Sequence, residues 1–162
     1  PAVITCVVAR RLSSKPYDDH YTLREEAART LVKACNTFGD QYTALKSRVL
    51  KTLCDAILPN KPLTTQYGGI MGITLFGSKA IDSFLLPLAP VYWETYETEL
   101  KKEPNQERRF ELQQCQAVIL NAVGIFMHHS NLYEKCKEMG LETFDQVFGE
   151  KLIPFRLDHL GY

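Results

Sequence analysis

Thr22-Leu23-Arg24-Glu25-Glu26-Ala27-Ala28-Arg29-Thr30-Leu31-Val32-Lys33-Ala34-Cys35-Asn36-Thr37-Phe38 sets the period of the chain. The apolar positions Leu23, Ala27, Ala28, Leu31, Cys35 and Phe38 fall at helical spacing, and Arg24, Glu25, Arg29 and Lys33 occupy the opposite face. Thr22 and Glu25 have capping-box spacing, in which hydroxyl and carboxylate each satisfy an orphan backbone N–H, and Gly39 closes the helix. Leu45, Val49, Leu50, Leu53, Ile57 and Leu58 repeat the stripe until Pro59 and Pro62 stop it, because proline cannot continue the hydrogen-bond ladder. The short link between these two helices predicts antiparallel packing.

The same pattern extends in both directions. A helix is expected from Thr64 to Phe76, and another after Gly77, with Ser78 as its N-cap and Ile81, Phe84 and Leu85 inside. Pro87 and Pro90 break or kink it, and Tyr92 to Lys102 is again helical. Asn105 opens the longest segment, with Phe110, Val118, Ile119, Ala122, Val123 and Phe126 buried. Short helices follow from Asn131 to Gly140 and from a Thr143 cap through Phe144, Val147 and Phe148. Val3 to Val8 is rich in β-branched residues, but Ile4, Val7, Val8 and Leu12 fit a helix. Ile57-Leu58-Pro59, Leu85-Leu86-Pro87 and Leu152-Ile153-Pro154 each place a proline after a paired apolar helix end. That punctuation favours an all-α α-solenoid of antiparallel helical hairpins, whose surfaces mostly bind other macromolecules.

At 162 residues the chain has the length of a single domain, here Pro1 to Tyr162, and 45% apolar with 23% charged residues is the balance of a globular protein. It begins at Pro1 with an uncapped apolar run, as a fragment of a longer protein would. No run approaches the ~18 apolar residues of a membrane span. Net charge is zero, with 10 basic against 6 acidic residues up to Pro62 and 9 against 13 beyond it. That asymmetry is far from the footprint of a dedicated nucleic-acid binder. The five cysteines, Cys6, Cys35, Cys54, Cys115 and Cys136, are widely spaced inside apolar stretches, which predicts reduced, buried thiols in a cytosolic or nuclear protein.

Reactive chemistry finds little support. Gly72-Ile73-Thr74-Leu75-Phe76-Gly77-Ser78-Lys79 resembles a phosphate loop only superficially, since serine precedes lysine and a helix precedes the glycine. His128 and His129 point about 100° apart on a helix and share no finger spacing with Cys115 or Cys136, so no metal is expected. Asp18, Asp19 and His20 are the polar start of the helix near Thr22 rather than an acid–base cluster. No catalytic residue, cofactor or small-molecule ligand is expected. Gly68, Gly69 and Gly72 fall in one helical turn, at about 1 kcal/mol each relative to alanine, and Gly68 and Gly72 share a face that close approach of a neighbouring backbone would explain. Two surfaces are candidate binding faces. One is the basic set Arg24, Arg29 and Lys33, continued by Lys46, Arg48 and Lys51, which suits an acidic protein or DNA phosphates. The other is Trp93 with Tyr92 and Tyr96, rings that pack in a core or anchor an interface.

Two stretches carry more than periodicity. His20-Tyr21-Thr22-Leu23-Arg24-Glu25-Glu26-Ala27-Ala28-Arg29, and Leu63-Thr64-Thr65-Gln66-Tyr67-Gly68-Gly69-Ile70-Met71-Gly72-Ile73 with Leu75 and Gly77, closely resemble the C-terminal HEAT-repeat domain of transcription initiation factor TFIID subunit 6, a TBP-associated factor. Ser47-Arg48, Lys51-Thr52 and Leu86-Pro87-Leu88 look like the same family, so the likeness covers about Pro1 to Leu88. It implies a nuclear, non-enzymatic scaffold that bridges subunits of TFIID and of SAGA-type coactivators. In that family an N-terminal histone fold, absent here, pairs with a histone-fold TBP-associated partner. The resemblance points first to Arg24, with Tyr67 and Gly68 as the motif's architectural centre; with the two surfaces above, Arg24, Arg29, Lys33, Tyr67 and Trp93 are the candidate partner-binding residues, and Leu23, Thr64, Thr65, Gly68, Gly72 and Gly77 the structural motif. The family commonly has an aromatic where Leu63 stands and an arginine where Gln66 stands. The competing expectation is a module that contacts promoter DNA through the basic first half.

Overall fold

A computed structural model describes residues 1–15, 18–129, 146–148 and 151, with the side chains of His128 and His129 outside the description. Its elements are helices α1 (Ala2–Val8), α2 (His20–Phe38), α3 (Leu45–Ala56), α4 (Leu63–Leu75), α5 (Ser78–Ala80), α6 (Ala89–Lys102) and α7 (Gln106–His129), with a π-helical turn at Ile81–Leu85 that continues α5. Among the described residues there is no strand, and the β-branched opening segment is helical, as its spacing predicts.

Helix α4 is the centre. Every residue from Leu63 to Thr74 is buried, so the helix has no polar face, and α1, α2, α3 and α7 all pack against it. Consecutive helices pair around it, α1 on α2, α3 on α4 and α6 on α7, which is the expected hairpin architecture. The expected α2–α3 pair makes only sparse contact, because α3 lays its buried residues Val49, Leu53 and Ala56 on α4 instead. One apolar core runs from Val7 through Phe126 to Phe148.

Three glycines let α4 be surrounded so tightly. A Cβ on Gly68 would lie 1.9 Å from the Val7 carbonyl oxygen, and one on Gly69 would lie 2.9 Å from that of Leu53. The expected close approach of a neighbouring backbone is therefore present, but it is split between two helices. Gly68 faces α1, whereas Gly69 and Gly72 face α3, with Gly72 against the Leu53 side chain. Gly77 has a different task. At φ 94° and ψ −177° it adopts backbone geometry open essentially to glycine alone, and so turns the chain between α4 and α5.

Several expectations shift. Helix α2 begins at His20, two residues early, because the Asp19 carboxylate is the cap and accepts from the N–H groups of Tyr21 and Thr22, each at 3.1 Å. Thr22 donates its hydroxyl to the same carboxylate at 2.7 Å instead of capping. The buried face of α2 is also rotated from the apolar stripe. Tyr21, Arg24, Ala28, Val32 and Cys35 line it, while Leu23 and Phe38 stand half in solvent. Helix α6 starts at Ala89 rather than Tyr92, since Pro90 sits in its first turn, where no N–H is needed. Phe110 is exposed, though Val118, Ile119, Ala122, Val123 and Phe126 are buried as expected. The helix read from Asn131 to Gly140 and the Thr143 cap lie outside the described residues, of which 146–148 are helical.

Gly68→Ala should destabilise the domain by about 3 kcal/mol or more, because its methyl would collide with backbone rather than with a side chain that can rotate away. Gly77→Ala, with open space around its Cβ, should cost only about 1–3 kcal/mol of backbone strain. Urea denaturation midpoints of the two variants test that order.

Candidate functional site

The residues singled out by the sequence divide between core and surface. Arg24 is fully buried, contrary to its place on a solvated face. Helix α1 ends at Val8, so the Val7 carbonyl lacks an intrahelical partner, and Arg24 donates Nη1–H to it at 2.8 Å across the α1–α2 interface. Its Nε–H donates to His20 Nδ1, one turn earlier, at 3.1 Å. Nη2 has no hydrogen-bond partner among the described residues. A guanidinium at this point also meets the negative end of the α1 dipole. Periodicity assigns every arginine to solvent, which is why the sequence pattern places Arg24 on the wrong face.

The surroundings of Arg24 are aromatic and acidic. Tyr21 and Tyr67 stand edge to face, with ring centroids 4.8 Å apart, and Phe110 contacts Tyr21 from the other side at 5.7 Å. Burial pushes the Tyr67 phenol up to about 12 and raises that of Tyr21, so both stay protonated. Burial first, and then Glu107, raise the half-buried Glu111 carboxyl, which Arg108, then Arg24 and Arg10, pull back down. Tyr67 is therefore a wall of this buried cluster and not a surface residue.

Trp93 is buried as well. Its ring packs on Phe148 at 5.2 Å, and the Lys151 ammonium lies 4.6 Å from its centroid. Neighbouring tyrosines of α6 reach back to α4 and to the link before it. Tyr92 donates to the Ile57 carbonyl, and Tyr96 donates to Gln66 Oε1 at 2.6 Å. Gln66 in turn donates to the Lys61 carbonyl at 2.7 Å and so satisfies the turn after α3. Of the motif threonines, Thr64 donates to the Arg10 carbonyl at 2.8 Å, and Thr65 is buried in α4. The Tyr92–Ile57 and Tyr96–Gln66 bonds span 35 and 30 residues, a range that leaves no periodic signal in the sequence.

Arg29 and Lys33 are exposed on α2. Arg29 is held by Glu25 at 2.5 Å, with Glu26 at 3.9 Å, so much of its charge is answered within the helix. Lys33 has no ion-pair partner among the described residues.

The described cysteines Cys6, Cys35, Cys54 and Cys115 are free thiols, with Cys35 and Cys115 buried and Cys6 and Cys54 half-buried, whereas Cys136 lies outside the described residues. Burial raises the pKa values of Cys35, Cys54 and Cys115, which keeps these thiols protonated and poor nucleophiles. Cys115 donates to the Leu63 carbonyl at 3.3 Å. Among the described residues no three His, Cys, Asp or Glu side chains come together as metal ligands would, and no helix is long and apolar enough to cross a membrane.

A protein built this way is an all-α helical-repeat domain whose polar side chains mainly tie one helix to the next. Residues 1–90 match the family described as the TAF6 C-terminal HEAT repeat domain, and the chain belongs to that family. Transcription initiation factor TFIID subunit 6 of Arabidopsis thaliana is 34% identical over 131 residues, covering 79% of this chain and 24% of the relative. The SAGA complex/transcription factor TFIID complex subunit Taf6 of Schizosaccharomyces pombe is 38% identical over 125 residues, covering 76% and 27%. The chain thus spans about a quarter of the length of these relatives. Both alignments are longer than the 90-residue family match, so similarity continues beyond Leu88, where the sequence reading matched only helical character.

Two predictions follow from the Arg24 cluster. Arg24→Met should lower unfolding stability by about 2–4 kcal/mol, since a charge-assisted bond is lost and the Val7 carbonyl is left buried and unpaired. Arg29→Met should leave the urea midpoint nearly unchanged. The second concerns pH. Burial, followed by the charge of Arg24, holds the His20 imidazole below its usual 6.5, and Nδ1 can accept from Arg24 only when unprotonated. As pH falls below about 6.5 the unfolded chain takes up a proton that the folded imidazole resists, so stability should decline with acidification and recover above that value. Urea midpoints at stepped pH should show a shallower decline for His20→Gln than for the wild type.

Proposed function

We propose that the domain is a non-enzymatic protein–protein interaction scaffold that bridges subunits of the general transcription factor TFIID, and of SAGA-type coactivators, in nuclear RNA polymerase II transcription initiation. The observation that carries this reading is family membership, with relatives named as TFIID and SAGA/TFIID subunits over three quarters of the chain. Thiols held protonated and polar side chains committed to helix ends support it further. The partners are other TFIID subunits. A histone-fold TBP-associated factor would be engaged by the region that precedes the domain.

Burial changes which residues can serve as contacts. Arg24, Tyr67 and Trp93 act by bracing the repeats, and Arg29 and Lys33 remain as the exposed contacts on α2. A charge reversal at Arg24 would therefore damage the fold before it tested any interface.

The test is affinity capture of the tagged full-length protein from nuclear extract of its own source, read by mass spectrometry, beside an Arg29→Glu, Lys33→Glu variant whose helicity is checked by circular dichroism. Recovery of TBP-associated subunits by the wild type is expected, with their loss from the folded variant. Failure of the full-length protein to recover any of them would reject the scaffold reading. Duplex DNA binding that falls roughly a thousandfold between about 50 and 200 mM salt would favour the DNA-contacting alternative.

A further inference from the structure

The turn between α2 and α3 holds the exposed apolar surface that the fold leaves least explained. Phe38 is 47% and Tyr42 64% exposed. Together with Gln41, Thr43, Ala44, Leu45 and Arg48 they line a shallow groove of about 530 Å³. The backbone beneath is fixed. The Phe38 carbonyl accepts from the N–H groups of Gln41 and Tyr42 at 3.1 and 3.0 Å, and the Tyr42 carbonyl accepts from Leu45 N–H at 2.8 Å. Neither ring contacts another ring among the described residues, so the two aromatics are held out on an ordered turn without a partner.

The stretch of sequence that carries this groove is basic. Between Lys33 and Lys51 stand Lys33, Lys46, Arg48 and Lys51 against the single acid Asp40, a local net charge of +3 in a chain of net charge zero. None of the four cations has an ion-pair partner among the described residues. The described arginine–carboxylate pairs lie outside this stretch, Glu25 with Arg29 and Glu99 and Glu103 with Arg108. Of these cations Arg48 lines the groove itself, while Lys46 follows the lining residue Leu45 in the chain and lies over the Phe76 ring at 5.6 Å.

An apolar floor lined by Arg48, in a stretch of sequence with excess positive charge, selects an occupant that supplies apolar side chains and negative charge together. We propose that the α2–α3 groove docks an acidic segment of a partner protein, seating an aromatic or aliphatic side chain between Phe38 and Tyr42 and its carboxylates against Lys46 and Arg48. DNA would use the cations but leave the aromatic floor unfilled. A neutral apolar segment would bury the floor but leave the cations unpaired and partly desolvated. The inference rests on the reading of the domain as a protein-binding scaffold, and adds to it a surface and a partner chemistry.

The experiment uses the full-length protein and fluorescence anisotropy of a synthetic peptide of about five helical turns, with Phe and Leu on one face and Asp and Glu on the other. Binding should weaken about tenfold for Phe38→Ser, Tyr42→Ser and for Lys46→Glu, Arg48→Glu, with circular dichroism unchanged, and Lys46→Arg, Arg48→Lys should retain it. Rising salt should weaken binding of the wild type more than that of the charge-reversed variant. The inference is overturned if a peptide with every Phe and Leu replaced by Ser binds equally well, if either groove variant binds like the wild type, or if duplex DNA binds more tightly through Phe38 and Tyr42. Peptide binding without capture of TBP-associated subunits supports the groove and counts against the scaffold reading. Capture of those subunits beside groove variants that bind the peptide normally does the reverse.

Discussion

The Val7 carbonyl is the point on which the first half of the structure depends. Helix α1 has only seven residues, too few to be stable alone, so it exists because other elements hold it. Arg24 satisfies its terminal carbonyl from one side, and Gly68, by lacking a Cβ, lets α4 come against the same carbonyl from the other. Either feature alone would be insufficient. Without the guanidinium the carbonyl is buried unpaired, and with a side chain at residue 68 the helices cannot approach. The two residues stand 44 positions apart and act on one oxygen atom.

The same device recurs at other helix ends. Tyr92 donates to Ile57 and Gln66 to Lys61 in the link that follows α3, and Arg109 donates to Leu100 and Glu103 at the end of α6, at 2.7 and 3.0 Å. Thr64 holds Arg10 just beyond α1. Last-turn and post-helical carbonyls face outward from their own helix, so a stack of short helices must answer many of them, and side chains from neighbouring helices do so here. Each bond therefore closes a helix and fixes its position against another at once. This accounts for a central helix with no polar face, since α4 receives its specificity from donors and glycines rather than from amphipathicity.

How much of this the sequence carries depends on the range of the interaction. Helix type and approximate limits follow from local periodicity and punctuation, which is why α2, α3 and α4 emerge within a few residues of their observed ends and α7 within one residue of its start. The glycine run in α4 announces close packing because its helix cost demands an offset, yet it does not say that Gly68 and Gly69 face different helices. The orientation of α2 is lost for a definite reason. Binary patterning sorts Arg24 with the solvent and Leu23 with the core, whereas a single interhelical bond to Val7 turns the face by one position. Resemblance to the family marks Arg24, Tyr67 and Gly68 as a set without distinguishing bracing from contact. Arg24, Tyr67 and Trp93 are buried inside the helix stack.

With those residues absorbed, the surface is simpler than the sequence implies. Along α2 the cation nearest the N-terminus after Arg24 is neutralised by its own helix, as the Glu25–Arg29 pair shows, and free positive charge begins only at Lys33. From there it runs to Lys51 through a turn that also displays Phe38 and Tyr42. Phe38, on the apolar stripe but exposed, thus shares a groove with Arg48 of α3, which has no ion-pair partner among the described residues. The buried clasp and the exposed groove belong to one helix orientation: the face that buries Tyr21, Arg24, Ala28, Val32 and Cys35 leaves Phe38, at the C-terminal end of the apolar stripe, facing solvent.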